Sequence, residues 1–248
     1  MRVINYFKKH RQVSVALFFF GFSFLLLLVC TTSSPLYQVN EWVDSNAYFT
    51  MGKGLMNGKV LYRDLFDHKG PFLYLIYGIG YLFSHNSFFG VFVMESLALG
   101  VTLYFVYKIA KLFLLGRPAA LSAVLFGLLF VAGRHFSQGG SAEEFMAPFL
   151  TMALYFAIVI LNDGADRPQK APLFALGFCT AAIFLIKMNI IMALFPIMLV
   201  IFVRCLLNKN LRIFFINALF YVAGLCVLFV PFFLYFLATG SLKDFLYA

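Results

Sequence analysis

Residues 13–30 read Val-Ser-Val-Ala-Leu-Phe-Phe-Phe-Gly-Phe-Ser-Phe-Leu-Leu-Leu-Leu-Val-Cys, a run without a single charged side chain. An α-helix needs about 20 mostly apolar residues to cross the hydrocarbon core of a bilayer, so this run predicts a transmembrane helix. Four basic residues precede it, as in a signal peptide, but the run is longer than a usual signal core and no Ala-x-Ala cleavage site follows. We therefore predict an uncleaved first span with a cytoplasmic amino terminus.

The composition of the whole chain agrees with that first span. Of its 248 residues 63% are apolar and 12% charged, whereas a soluble domain is about half apolar and about a quarter charged. No core of this size could hide the excess from water, which excludes a soluble enzyme. We predict an all-α, multi-pass protein of the cell membrane, with one transmembrane domain over 1–248. The net charge of +9 comes largely from bases beside apolar runs, which favours membrane lipids over nucleic acid as partners.

The distribution of lysine and arginine predicts the topology. We expect about seven transmembrane helices, at residues 13–30, 88–107, 119–131, 145–161, 171–186, 190–203 and 214–236. This arrangement places 12 of the 19 Lys and Arg residues inside, Arg167 and Lys209 among them, and 7 outside. The apolar run 71–83 is too short to cross, so we interpret it as a re-entrant or interfacial helix that returns to the outer face. The short runs 171–186 and 190–203 fit either two crossings or a broken pair.

An external first loop, 31–70, is the longest polar stretch of the chain. Residues 44–71 read Asp-Ser-Asn-Ala-Tyr-Phe-Thr-Met-Gly-Lys-Gly-Leu-Met-Asn-Gly-Lys-Val-Leu-Tyr-Arg-Asp-Leu-Phe-Asp-His-Lys-Gly-Pro. Apolar residues among polar ones predict a helix lying on the membrane surface, which Gly52, Gly54 and Gly58 would bend or end. Aromatic residues lie among the charges here, which is unusual for an ordinary solvated loop.

Several motifs in this order resemble the polytopic type-C glycosyltransferases (GT-C), especially the aminoarabinose transferases and protein O-mannosyltransferases. The loop acid is Asp44, and the closing motif at 67–74 is Asp-His-Lys-Gly-Pro-Phe-Leu-Tyr. A second external acid motif at 140–148 reads Gly-Ser-Ala-Glu-Glu-Phe-Met-Ala-Pro, and the Lys-Met-Asn break at 187–189 resembles a later Lys-Gly-Pro break. The resemblance runs over roughly 1–245. Family members are usually longer, so we expect a fragment of such an enzyme or a short relative.

The resemblance implies a membrane glycosyltransferase with an extracytoplasmic active face. It would move a sugar from a polyprenyl-phosphate donor to a lipid, polysaccharide or protein acceptor, with inversion. The lipid-linked donor is then a co-substrate, and no cofactor or metal site is expected. A requirement for a divalent metal ion is left open. Two other classes also stay open: a transporter or flippase for a lipid-linked or anionic substrate, and a non-catalytic membrane partner.

Inverting sugar transfer needs a carboxylate that takes the acceptor proton and cations that hold the departing phosphate. On the resemblance, the candidate catalytic residues are Asp44, Glu143 and Glu144. The candidate phosphate-binding residues are Lys69, Arg63, Arg134 and Lys187. Two further residues of interest are His68, which stands where some relatives carry an acid, and Glu95, which lies within a predicted span.

Each candidate also has a structural interpretation. Asp44 could cap a helix, and Lys69 could extend along the interface towards the headgroups. Arg63 could pair with Asp64 or Asp67. The two glutamates at 143–144 could complement a helix dipole. Because an isolated charge inside a span is costly, Glu95 should face the cavity, be paired or be protonated, and structural pairing is favoured.

Overall fold

The computed structural model describes residues 2–163, 168–207 and 211–248, with side chains from residue 12 onward except at 205. Arg167 and Lys209, two of the predicted inner-face charges, lie outside the described residues. The described chain is helical and contains no strand, which confirms the all-α prediction. Its helices are α1 (Arg2–Cys30), α2 (Val43–Met56), α3 (Pro71–Phe83), α4 (Phe89–Phe113), α5 (Arg117–Ala132), α6 (Ala142–Asn162), α7 (Lys170–Ile186), α8 (Phe195–Leu207), α9 (Leu211–Ala238) and α10 (Leu242–Tyr247), with a 3-10 helix at Met188–Ala193.

Four stretches of the described chain are helical, long and apolar enough to cross a membrane. They are Gln12–Cys30, Phe89–Phe113, Ala142–Asn162 and Leu211–Ala238, and they match four of the seven predicted crossings. The other three predicted crossings fall on shorter apolar helices, Arg117–Ala132, Lys170–Ile186 and Phe195–Arg204. The count of seven therefore stays a prediction.

The helices group into two compact units, and the single domain expected from the sequence stays a prediction. Unit 1 comprises Met1–Asn46 and Ile79–Pro148, and unit 2 comprises Ala47–Gly78 and Phe149–Ala248.

In unit 1, α1, α4 and α5 pack around a core that includes Phe19, Phe92 and Leu103. The Ser23 hydroxyl of α1 donates a hydrogen bond to the Ser96 carbonyl of α4, at 2.9 Å. The segment that follows α1 and the start of α4 line one cavity, so the two helices run in opposite directions. α4 thus begins where α1 ends, as it should if Pro71–Phe83 does not cross the membrane.

The loops at that end of unit 1 are joined to each other. The Thr32 N–H, just after α1, donates to the Gln138 carbonyl between α5 and α6, at 2.9 Å. We call this end, formed by 31–42, 84–89 and 133–142, the polar end of unit 1. It brings together the segments that precede α2 and α6.

In unit 2, α7 and α9 pack closely and run in the same direction. The Gln169 N–H donates to Asn217 Oδ1 at the start of both helices, and the rings of Phe184 and Phe229 meet further along. Between these contacts, a Cβ on Gly177 would lie 2.1 Å from the Tyr221 carbonyl oxygen. Such small-residue crossings are common between membrane helices. Two parallel neighbours also require the chain to return through α8.

Unit 2 also contains a close crossing of α2 and α3. A Cβ on Gly52 would lie 2.5 Å from the backbone nitrogen of Gly78. Gly52 therefore permits close approach of two helices, and α2 does not end there, because it continues to Met56. The predicted helix end is confirmed at Gly58, whose φ of +80° reverses the chain as glycine often does after a helix.

Candidate functional site

The main chain of Lys69 is held from both sides by two buried tyrosines. The Tyr62 hydroxyl donates to the Lys69 carbonyl oxygen at 2.7 Å, and the Tyr74 hydroxyl accepts from the Lys69 N–H at 3.0 Å. The Tyr74 hydroxyl in turn donates to Asp67 Oδ2 at 2.8 Å. We call Tyr62 and Tyr74 the tyrosine frame. It fixes the backbone of Lys69, whose side chain is half-buried.

A tight turn places Tyr62 for this role. Its N–H donates to the Leu65 carbonyl at 2.7 Å, and its φ of +66° lies in the left-handed region that few non-glycine residues adopt. The Val60 N–H donates to the Asp64 carboxylate at 2.8 Å. Burial raises the pKa of the Tyr62 hydroxyl, so it stays protonated and continues to donate to Lys69.

Lys187 lies beside Lys69 in unit 2. The Gly70 N–H donates to the Ile186 carbonyl at 3.0 Å, and a Cβ on Gly70 would lie 2.0 Å from the Leu185 carbonyl oxygen. A glycine is therefore required where the two segments meet. Lys69 and Lys187 were predicted from two separate motifs. Lys69 directly precedes Gly70, the donor of this hydrogen bond, and Lys187 directly follows Ile186, its acceptor.

An apolar cavity of about 340 Å³ lies next to this junction. Leu185 lines the cavity, and its carbonyl oxygen is the atom closest to the Cβ position of Gly70. We call it the aromatic cavity. Its lining residues come from α7, α9 and α10: Leu185, Phe229, Val230, Phe232, Phe233 and Phe245.

Arg63 and His68 make local contacts in the same loop. The Arg63 guanidinium pairs with the Asp64 carboxylate, with Nε 3.0 Å from Oδ1, and Nη1 donates to the Thr239 carbonyl at 3.0 Å. Hydrogen bonding to Arg63 lowers the pKa of Asp64. The exposed His68 has its Nδ1 3.3 Å from Asp67 Oδ1. Of the two pairings expected for Arg63, the structure therefore has the one with Asp64.

Asp44 and Arg134 both belong to unit 1, and their side chains are exposed. Asp44 is in the first turn of α2, which begins at Val43. It therefore does not occupy the position before the helix that capping requires, although its charge still complements the helix dipole.

Glu143 and Glu144 have different surroundings. Glu144 Oε2 accepts from the Gly140 N–H at 2.8 Å, and the Glu144 N–H donates to Ser141 Oγ at 3.0 Å. This reciprocal pattern resembles a capping box, and Glu144 is buried with 1% of its surface exposed. Glu143 is only partly buried. Glu144 thus has a structural task at the start of α6, and Glu143 is the more accessible carboxylate.

Glu95 lies on α4 with none of its surface exposed. Among the described residues, neither carboxyl oxygen has a hydrogen-bond partner, and no lysine or arginine forms an ion pair with it. The favoured structural pairing is therefore not found. The side chains of Thr31 and Ser33 lie near the carboxyl group, and Glu144 interacts with it electrostatically.

Sequence reasoning missed two of the residues that shape these regions. Tyr74 lies in an apolar run, and the only signal was that a buried tyrosine hydroxyl usually needs a partner. Asn40 gave no signal in the sequence, yet its amide is central to the polar end of unit 1. The aromatic residues among the loop charges did draw attention to Tyr62.

In the described part of the chain, no group of three or more His, Cys, Asp or Glu side chains is placed to hold a metal.

Together, the long apolar helices and the clustered polar loops define a polytopic helical membrane protein. The chain belongs to the dolichyl-phosphate-mannose-protein mannosyltransferase family, whose family model matches residues 68–236. It is therefore a membrane glycosyltransferase of the GT-C type, which confirms the resemblance seen in the sequence. The matched range includes Lys69 and Lys187 but begins after Asp44 and Arg63. Neither the curated proteins nor the solved structures include a match to this chain.

Proposed function

We propose that this protein transfers a sugar, with inversion, from a polyprenyl-phosphate donor to a lipid, polysaccharide or protein acceptor on the extracytoplasmic face of the membrane. The observation that carries the proposal is the junction of Lys69 and Lys187 beside the aromatic cavity. A polyprenyl-phosphate sugar has a phosphate next to an apolar chain. The two lysines suit the phosphate, and the aromatic cavity suits the first isoprene units.

In the proposed step, the acceptor oxygen bonds to the anomeric carbon of the sugar while the bond from that carbon to the phosphate oxygen breaks. The acceptor proton goes to a carboxylate, for which Asp44 is the candidate that the family resemblance supplies, and the electron pair leaves with the polyprenyl phosphate. Lys69 and Lys187 stabilise the charge on that leaving group. One displacement inverts the anomeric carbon. Because Arg63 is held by Asp64, it receives no role here, while Arg134, a residue of unit 1, stays a candidate that rests on the family resemblance alone.

Donor binding by lysine variants tests the phosphate assignment. Loss of a charge-assisted hydrogen bond should weaken binding about tenfold or more, so Lys69→Ala and Lys187→Ala should each bind a fluorescent polyprenyl-phosphate sugar less tightly in nanodiscs. Lys69→Arg should retain part of the affinity because the charge is kept. Lys59→Ala is the matched control, since Lys59 is an exposed lysine of the same loop. Equal affinity of Lys69→Ala and wild type would remove Lys69 from the donor site.

Analysis of the products tests the reaction class. A transferase releases polyprenyl phosphate and forms a glycosylated acceptor, whereas a flippase leaves the lipid-linked sugar intact. We expect polyprenyl phosphate to appear in step with acceptor glycosylation. Movement of intact donor across proteoliposomes without release of polyprenyl phosphate would favour the flippase alternative.

A further inference from the structure

A cavity of about 430 Å³ lies at the polar end of unit 1, wholly within that unit. It is bounded by the segment after α1, the start of α2 and the segment before α4. None of the described residues that line it carries a charge: the lining consists of amides, hydroxyls, aromatic rings and small apolar groups. We call it the polar cavity. Its volume is within the range of small-molecule sites, about 300–1,000 Å³.

One side of the polar cavity is held in place by Asn40, which is buried. Asn40 Oδ1 accepts from the Thr32 hydroxyl at 3.1 Å and from the Trp42 N–H at 3.0 Å. Its Nδ2 donates to the hydroxyls of Ser33 and Ser45, both at 3.3 Å. The amide is thus used by the protein itself, and it preorganises the cavity wall.

Other groups of the polar cavity face solvent. Gln38 and Asn86 present exposed side-chain amides, which can donate and accept hydrogen bonds at the same time. The rings of Tyr37 and Phe89 are each 45% exposed. Polar amides therefore stand beside accessible aromatic faces.

We propose that the polar cavity binds one neutral sugar ring. Sugar hydroxyls both donate and accept, as the amides of Gln38 and Asn86 do. The C–H groups of the ring carry partial positive charge and pack against the negative face of an aromatic ring. With no charged group in the lining, a phosphate or an acidic sugar would gain no ion pair there. The proposal of a sugar site is based on the cavity alone. The assignment of the ring to the donor or to the acceptor rests on the proposed function.

Binding of simple glycosides to the full chain in nanodiscs tests this site. The probes are methyl glycosides of mannose, glucose and galactose, with glucuronate as a charged comparison, detected by saturation-transfer NMR. Emission of Trp42, the single tryptophan of the chain, gives a second readout because the backbone N–H of this residue donates to Asn40 in the cavity wall. We expect at least one neutral glycoside to bind, and the double variant Gln38→Ala/Asn86→Ala to weaken it about tenfold through two lost hydrogen bonds. Asn162→Ala, which changes an exposed amide outside the cavity, should bind as wild type does.

Three results would overturn the sugar site: no binding of any neutral glycoside, unchanged binding by the double variant, or tighter binding of glucuronate than of the neutral sugars. Binding of a Ser/Thr-rich peptide that no glycoside displaces would also overturn it. The source of the ring is read from competition with bound polyprenyl-phosphate sugar: the glycoside should displace this donor if the cavity holds the donor sugar, and should leave it bound if the cavity holds the acceptor sugar. Repeating the titration with Lys69→Ala separates the two proposals: glycoside binding should persist there even if donor binding is lost.

Discussion

At the scale of single residues, Asp44 is the proposed proton acceptor. Asp44→Asn keeps the size of the side chain but cannot accept the acceptor proton, so transfer should slow by about 10²–10⁴-fold. Because Asp44 is exposed in the first turn of α2, the variant should insert, fold and bind donor normally. Glu41→Gln, a change to another exposed acid of the same loop, should leave the rate unchanged. Wild-type transfer by Asp44→Asn would move the search for the base to Glu143.

Glu144 is expected to act on stability. Glu144→Ala would leave the Gly140 N–H without its acceptor and should destabilise the protein by about 1–3 kcal/mol, whereas Glu144→Gln keeps an acceptor and should cost less. Thermal unfolding in detergent measures both. The structural assignment fails if Glu144→Gln unfolds like wild type but transfers sugar far more slowly.

The sequence identified most of the candidate residues but not their surroundings. Lys69 and Lys187 were selected from separate motifs, and their meeting depends on the Gly70–Ile186 hydrogen bond, which joins segments far apart in the chain. Glu143 and Glu144 could not be told apart because helix phase and the position of Gly140 decide which one is buried. The expected pairing of Glu95 was not found. Local spacing in the sequence does not show which side chains of other helices face a buried acid.

At the scale of helices, backbone approach decides where glycine is required. Gly52→Ala should push α2 away from α3, since its Cβ would lie 2.5 Å from a backbone atom, and overpacking of this kind costs about 1–3 kcal/mol. Gly21→Ala is the control: nothing lies within 4 Å of a Cβ there, and alanine favours a helix. The unfolding temperature should therefore fall for Gly52→Ala and should stay the same or rise for Gly21→Ala. A reduction of equal size in both variants would show that the crossing is not the cause.

Helix positions were largely predictable, since apolar runs mark them, and α2 was found from its mixed pattern. Helix contacts were not predictable. Gly52 and Gly54 interrupt the pattern of α2 in the same way, yet Gly52 faces the α3 backbone and Gly54 faces the Leu65 side chain. Only the packed structure distinguishes a glycine that faces a neighbouring backbone from one that faces a side chain.

At the scale of the whole molecule, the topology predicts which loops are reachable from outside. In a variant without native cysteines, Lys59→Cys, Gln138→Cys and Lys243→Cys should react with an impermeant maleimide applied to intact cells, and Arg117→Cys should not. All four positions are exposed, so differences report the side of the membrane. Labelling of Arg117→Cys from outside would contradict the interpretation of Pro71–Phe83 as a segment that does not cross.

The tyrosine frame has a consequence for how such enzymes diverge. It holds residue 69 through the peptide groups on either side and makes no demand on the side chain. A substitution at that position would therefore change the side chain at the proposed donor site and leave these two backbone hydrogen bonds in place. If Lys69 contacts the donor, as proposed, residue 69 could therefore vary between related proteins while the loop that carries it keeps its shape.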